Sequence, residues 1–207
     1  MTQTSRMAAT ILLLSALSGC QEPVRPIFET HDSPIVWPPA PDQPRLQYIG
    51  SLSGESSLNK PKPVTLKSLL AGPEPTIGFS TPTSVAARGD DIFVCDGQNQ
   101  AVYHLNLVTR DFRAITHADG QQLGWPIDVT LADQHIAIAD SKRAAVFVMT
   151  TGGADVRAIG KGTLKRPSAV GWSPQRREYW VLDTGAHACV IFGEDGAEKS
   201  RLGQRGE

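Results

Sequence analysis

The stretch Pro126–Met149 reads PIDVTLADQHIAIADSKRAAVFVM, and the chain repeats its pattern on either side. Upstream stands PTSVAARGDDIFVCDGQNQAVYHL, opening at Pro82; downstream stands PSAVGWSPQRREYWVLDTGAHACVIF, opening at Pro167. The opening prolines are 44 and 41 residues apart, and the aspartates Asp96, Asp140 and Asp183 are 44 and 43 apart. Six residues after each aspartate comes Val102, Val146 or Cys189. Recurrence at fixed spacing marks like-folded units that stack, because one such unit cannot bury its apolar face alone.

Each unit carries four strand signals. In the middle one they fall at Ile127–Leu131, His135–Ala139, Ala145–Thr150 and Val156–Ile159, where β-branched residues alternate and Gly or Asp punctuates the gaps. Four strands per 40–45 residues is the signature of a propeller blade. The expected fold is all-β, a β-propeller of four-stranded antiparallel blades, with about three blades in residues 79–207. An aspartate recurring in every unit is expected to hold a turn, not to catalyse.

VLDTGAHACVIF resembles the NHL repeat, in which an Asp-x-Gly-Asn-His turn precedes a Val-rich strand; VCDGQNQAVYHL and IADSKRAAVFVM match it more loosely. Ala186 and Lys142-Arg143 depart from that pattern. The run IVWPPAPDQPRLQYIGSLSG, from Ile35, resembles the opening segment of exported six-bladed NHL-type propeller lipoproteins. The resemblance implies a repeat protein with its ligands at a loop face near the channel mouth.

The units at Pro126 and Pro167 have outermost strands ending in Ile159-Gly160 and Leu202-Gly203, and Arg45–Gly50 ends likewise in Ile49-Gly50. Residues 45–53 are therefore expected as an N-terminal closing strand. A ring of about six blades needs on the order of 120 more residues, so the chain reads as a C-terminally truncated propeller, a fragment. The alternative is a half-propeller that pairs with a second copy. Residues 54–78 break the pattern and are expected as a surface excursion, with a short helix in Val64–Leu70.

Residues 1–19 read as a signal peptide: Arg6 supplies the charge and Ala8–Leu17 the apolar core. The end, Leu17-Ser18-Gly19-Cys20, resembles a bacterial lipobox. That implies cleavage before Cys20, lipid on its thiol and anchoring by several acyl chains. Gln21 after it favours the outer membrane over the inner, so the expected location is the cell envelope. Residues 20–44 form a Pro-rich linker, with seven prolines between Gln21 and Pro44; helix and sheet are disfavoured there. His31 and Trp37 lie in it.

Charge is balanced, with 20 Lys+Arg against 21 Asp+Glu, which argues against a polyanion-binding surface as the main function and against nucleic acid as a partner. Cys20, Cys95 and Cys189 form no CxxC pair, and the five histidines show no HxxxH or HxH spacing. No local metal site and no cofactor beyond the lipid on Cys20 are expected. Arg88-Gly89-Asp90 spells a cell-adhesion tripeptide but falls in an expected strand–strand turn. No nucleotide or nucleophile-elbow motif is present.

Blade geometry places the loop leading into the innermost strand and the turn between the second and third strands on one face. Trp125, Lys165 and Arg166 come from the first kind; Gln98, Asn99, Gln100, Lys142, Arg143 and His187 come from the second. Asp128, two residues after Pro126, is a further candidate, since Ser84 and Ala169 hold its place elsewhere. The expected function is a lipid-anchored binding scaffold for a protein or envelope polymer. The alternative is a propeller enzyme, lyase- or lactonase-like, with a metal in the channel completed by further blades; catalytic residues are not assigned.

Overall fold

The computed structural model describes residues 25–28, 33–61, 66–72, 74–204 and 206. The expected signal peptide 1–19, Cys20 and His31 lie outside the described residues. Two short strands come first, β1 (Val36–Trp37) and β2 (Leu46–Gln47), then a 3-10 turn at Glu55–Leu58 and a helix α1 (Leu66–Ala71). The first blade is β3 (Pro82–Arg88), β4 (Asp91–Asp96), β5 (Ala101–Asn106) and β6 (Phe112–Ile115). A hairpin of β7 (His117–Ala118) and β8 (Gln121–Gln122) leads to the second blade. That blade is β9 (Pro126–Ala132), β10 (His135–Asp140), β11 (Ala145–Thr150) and β12 (Arg157–Ile159). The third is β13 (Pro167–Ser173), β14 (Glu178–Asp183), β15 (Ala188–Gly193) and β16 (Glu198–Leu202).

Each blade is an antiparallel meander paired in sequence order. The register repeats: Ser84 lies opposite Cys95, Asp128 opposite Ala139, and Ala169 opposite Leu182. One residue after each opening proline the inner strand bulges, at Thr83, Ile127 and Ser168. A bulge twists the strand locally and re-aims the residues around it.

Period-two alternation sends neighbouring residues of one strand to opposite faces, so a sandwiched blade is apolar on both. Between the first and second blades, Phe93, Cys95 and Val102 pack on Ile136, Ile138, Phe147 and Met149. Between the second and third, the small Ala137 and Ala139 leave room for Tyr179 and Phe192, with Val146, Val148 and Ile159 filling around them. Thus β10 and β11 of the middle blade are buried almost throughout. The far face of the first blade, Val94, Ala101, Tyr103 and Leu105, is covered by Leu58, with Ile27, Leu52 and Phe79 beside it.

Two expectations change in detail. The Pro-rich linker, expected to avoid sheet, contributes Val36–Trp37, which pairs with Leu46–Gln47. Residues 45–53, the expected closing strand, supply Leu46–Gln47 to this ribbon; Arg45 N donates to Trp37 O at 2.9 Å and Tyr48 N to Ile35 O at 2.8 Å. The excursion 54–78 is not purely superficial. Gly54 and Gly78 bridge at its base, and Leu58 is fully buried. Cys95 and Cys189 are both free thiols. The Arg88-Gly89-Asp90 tripeptide sits at the β3–β4 turn, where Gly89 has φ 61°. Among the described residues no helix is long and apolar enough to cross a membrane.

Candidate functional site

Each recurrent aspartate is buried and ties the lead-in loop of its blade to the turn between the second and third strands. Asp140 accepts the N–H groups of Gly124 (2.6 Å), Trp125 (2.9 Å), Lys142 (3.1 Å) and Arg143 (3.0 Å). Asp183 accepts those of Lys165 (2.7 Å), Arg166 (2.8 Å), Gly185 (3.1 Å) and Ala186 (3.1 Å). Asp96 accepts those of Ser80, Thr81 and Asn99. A buried carboxylate needs such donors, and these N–H groups need acceptors. Burial pushes the Asp183 carboxyl up, and the N–H groups of Arg166, Lys165, Ala186 and Gly185 pull it down by more, to below the usual carboxylate range.

Four residues past each aspartate the chain turns left-handed, at Gln100 (φ 52°), Ala144 (φ 52°) and His187 (φ 55°). His187 occupies that turn position and is exposed, and among the described residues its ring makes no hydrogen bond. Asn99 lies in the corresponding turn of the first blade, where its amide donates to Asp96 Oδ2 (3.1 Å) and Gly78 O (3.2 Å). It is part of the turn's own bonding.

The aspartates thus bring the expected loop residues to one face. Trp125 is 39% exposed, with its indole seated on Gly97; a Cβ there would come 2.5 Å from Cε2. Gln98, next to that glycine, accepts from Thr81 Oγ1 (2.9 Å). Gln100 accepts from Gln122 Nε2 (2.8 Å), and Gln122 O accepts from Arg143 Nε (2.9 Å). Gln122 therefore links two blades at this face; sequence reading missed it, because the β7–β8 hairpin has no counterpart in the other units. Arg166 Nε donates to Thr184 Oγ1 at 3.2 Å. Lys142 and Lys165 are exposed, and among the described residues neither has an ion-pair partner.

Charge is segregated between the two ends of the blades. In the lead-in loops 78–81, 116–125 and 160–166 and the turns 97–100, 141–144 and 184–187, the one carboxylate is Asp119, paired with Lys161 at 3.3 Å. The opposite loops carry Asp90, Asp111, Asp133, Asp155, Glu194 and Asp195 against Arg110, Arg176 and Arg177. That end also holds a polar cluster around the buried His104. Arg113 Nη2 donates to His104 Nδ1 (2.8 Å), which leaves the proton of the neutral ring on Nε2, facing Asp91 Oδ1 at 2.7 Å. Hydrogen bonds from Asn106 and His104 hold Asp91 below the usual carboxylate range.

Asp128 stands apart from the face residues. Its Oδ1 accepts from Ser84 Oγ of the first blade at 2.5 Å and its Oδ2 from Val170 N of the third at 2.8 Å. Both oxygens therefore join inner strands of adjacent blades. Among the described residues no three His, Cys, Asp or Glu side chains come together as a metal would need.

Solved structures similar to this chain include β-propellers. The chain matches one from the nidogen/laminin complex with TM-score 0.51 at 19% identity, over 59% of this chain and 48% of that one. It matches virginiamycin B lyase from Staphylococcus aureus with TM-score 0.50 at 9% identity, over 61% of this chain and 42% of that one. The chain spans less than half the length of either. No family model and no curated protein matches it. Together with the three four-stranded sheets, these likenesses establish a β-propeller repeat protein.

Proposed function

We propose that this chain is a lipid-anchored, extracytoplasmic propeller of the NHL type that works as a binding scaffold, engaging a protein or envelope polymer through its loop face. The observation that carries this reading is the segregation of charge: Lys142, Arg143, Lys165 and Arg166 project from one face whose own carboxylates are buried or paired. Such a face steers and selects partners of opposite sign. The Leu17-Ser18-Gly19-Cys20 sequence supports an acyl anchor on Cys20, with the outer membrane as its site. A ring of six blades follows from the NHL resemblance. The exposed apolar face of the third blade supports it, since the corresponding face of the second is covered by a blade.

The loop face is tested by reversing its four cations to glutamate and crosslinking the full chain in cells. The parent is expected to crosslink to an envelope component that the reversed variant loses; identical crosslinks in both would refute the reading. The anchor is tested by Cys20→Ser. That variant should leave the membrane fraction and lose lipid mass, and retention without a mass change would count against the lipobox.

A further inference from the structure

The loop face combines three chemistries seldom needed together. The first is a rigid apolar plate. Trp125 is part-exposed, yet its ring rests on Gly97 with no room for a side chain beneath it. Its backbone N–H is held by Asp140 at 2.9 Å and its backbone C=O by Ser141 N at 3.1 Å. An aromatic fixed in this way loses little freedom when a ligand stacks on it.

The second is a set of held amides beside the plate. Gln98 adjoins Gly97 and is oriented by Thr81; Gln100 is oriented by Gln122. The third is unpaired positive charge. The Lys142 stem lies against Gly124, next to the tryptophan, with a Cβ at Gly124 falling 2.9 Å from Lys142 Cβ. Arg143 and Arg166 each bond through Nε alone, so among the described residues their Nη groups remain open to a planar carboxylate.

We infer that this face takes an acidic polysaccharide, a uronic-acid-type chain whose sugar ring stacks on Trp125 while its carboxylates meet Lys142, Arg143 and Arg166. The inference rests on the loop-face reading above and names its ligand class. The flat C–H face of a pyranose suits the indole, its hydroxyls suit the amides, and its carboxylates suit the guanidinium forks. An acidic peptide would use the cations but has no call on a fixed plate flanked by amides. Nucleic acid would also stack and meet the cations; the overall charge of −1 favours neither polyanion, so nucleic acid is an outcome of the test.

The test is calorimetric titration of the full 207-residue chain with oligogalacturonate, dextran, polyglutamate and single-stranded DNA at low and high salt. Oligogalacturonate should bind, weaken with salt, and weaken about tenfold or more with Trp125→Ala and with Arg166→Ala, in the range of interface anchors. Dextran should bind far more weakly. Trp125→Leu keeps an apolar cover on Gly97, so a loss of binding there with an unchanged melting temperature excludes misfolding as the cause. Polyglutamate or DNA binding as tightly as oligogalacturonate, unaffected by Trp125→Leu, would overturn the polysaccharide inference and leave the charged scaffold face standing. Cation reversal without effect on any crosslinked partner would remove that face as well.

Discussion

The two ends of the blade stack carry the same kind of residues in opposite circumstances. On the far face of the first blade, Val94, Ala101 and Tyr103 lie under Leu58 and its neighbours. On the far face of the third, Leu182 is 47% exposed and Leu202 52%. The middle blade shows what those positions are for. Ala139 corresponds to Leu182 and Ile159 to Leu202, and both are buried against the next blade. The cover over the first blade stops short of its inner strand: Val129 and Val170 are covered by a neighbouring blade, while the equivalent Val85 is 65% exposed. The apolar pattern of a repeat therefore encodes an interface, and exposure follows from what stands beside it.

The largest effect expected from this contrast is at the covered end. Leu58→Ala should cost about 2–5 kcal/mol in urea unfolding, as for other buried leucines. Leu182→Ala, at a half-exposed blade-face leucine of the open end, should stay within about 0.5 kcal/mol. Equal costs would mean that Leu58 is not a true cover.

Next comes the link through the middle. Asp128→Ala leaves Ser84 Oγ and Val170 N without their acceptor, and should cost about 1–3 kcal/mol. Ser84→Ala should cost less, because Asp128 keeps its bond to the third blade. An Asp128→Ala variant as stable as the parent would free that carboxylate for another role.

Acid should act on the open end through Asp183. Its folded carboxyl lies below its unfolded value, so the folded state binds fewer protons. Its contribution to stability is complete above about pH 5 and is lost as pH falls below about 4, through the folded value. Unfolding midpoints at successive pH values should fall there, and Asp183→Asn should flatten part of the slope; an unchanged slope would contradict the four-donor arrangement. The smallest effect belongs to the linker ribbon: Leu46→Ala, exposed on a two-residue strand, should change stability by less than about 0.5 kcal/mol.

The sequence made the blades readable because their signals recur. Proline opens each inner strand, aspartate closes each second strand, and the apolar alternation between them is local. The aspartates' role in turns was legible for the same reason. The cover over the first blade was not, since Glu55–Leu58 has no repeat partner and its contact with Tyr103 is long-range. The bonding of Asp128 was hidden for a related reason. It stands out because Ser84 and Ala169 differ from it, and the structure uses one of those differences: the Ser84 hydroxyl donates to it, and the Val170 amide of the third blade completes it. Comparing equivalent positions finds what repeats share, and complementarity between unlike positions escapes it. The loop face was legible as a set of residues, but its rigidity, which depends on Gly97 beneath Trp125, required the fold.

The three repeats stack face to face, with the second sandwiched between the others. Native-state amide hydrogen exchange of the full chain, resolved by peptide, tests this arrangement most directly. The slowest exchange should lie in His135–Asp140 and Ala145–Thr150, with Asp91–Asp96 and Ala101–Asn106 next, and the fastest among the strands in Leu46–Gln47 and Glu198–Leu202. Middle-blade amides that exchange as fast as those of Leu46–Gln47 would contradict the stacked arrangement.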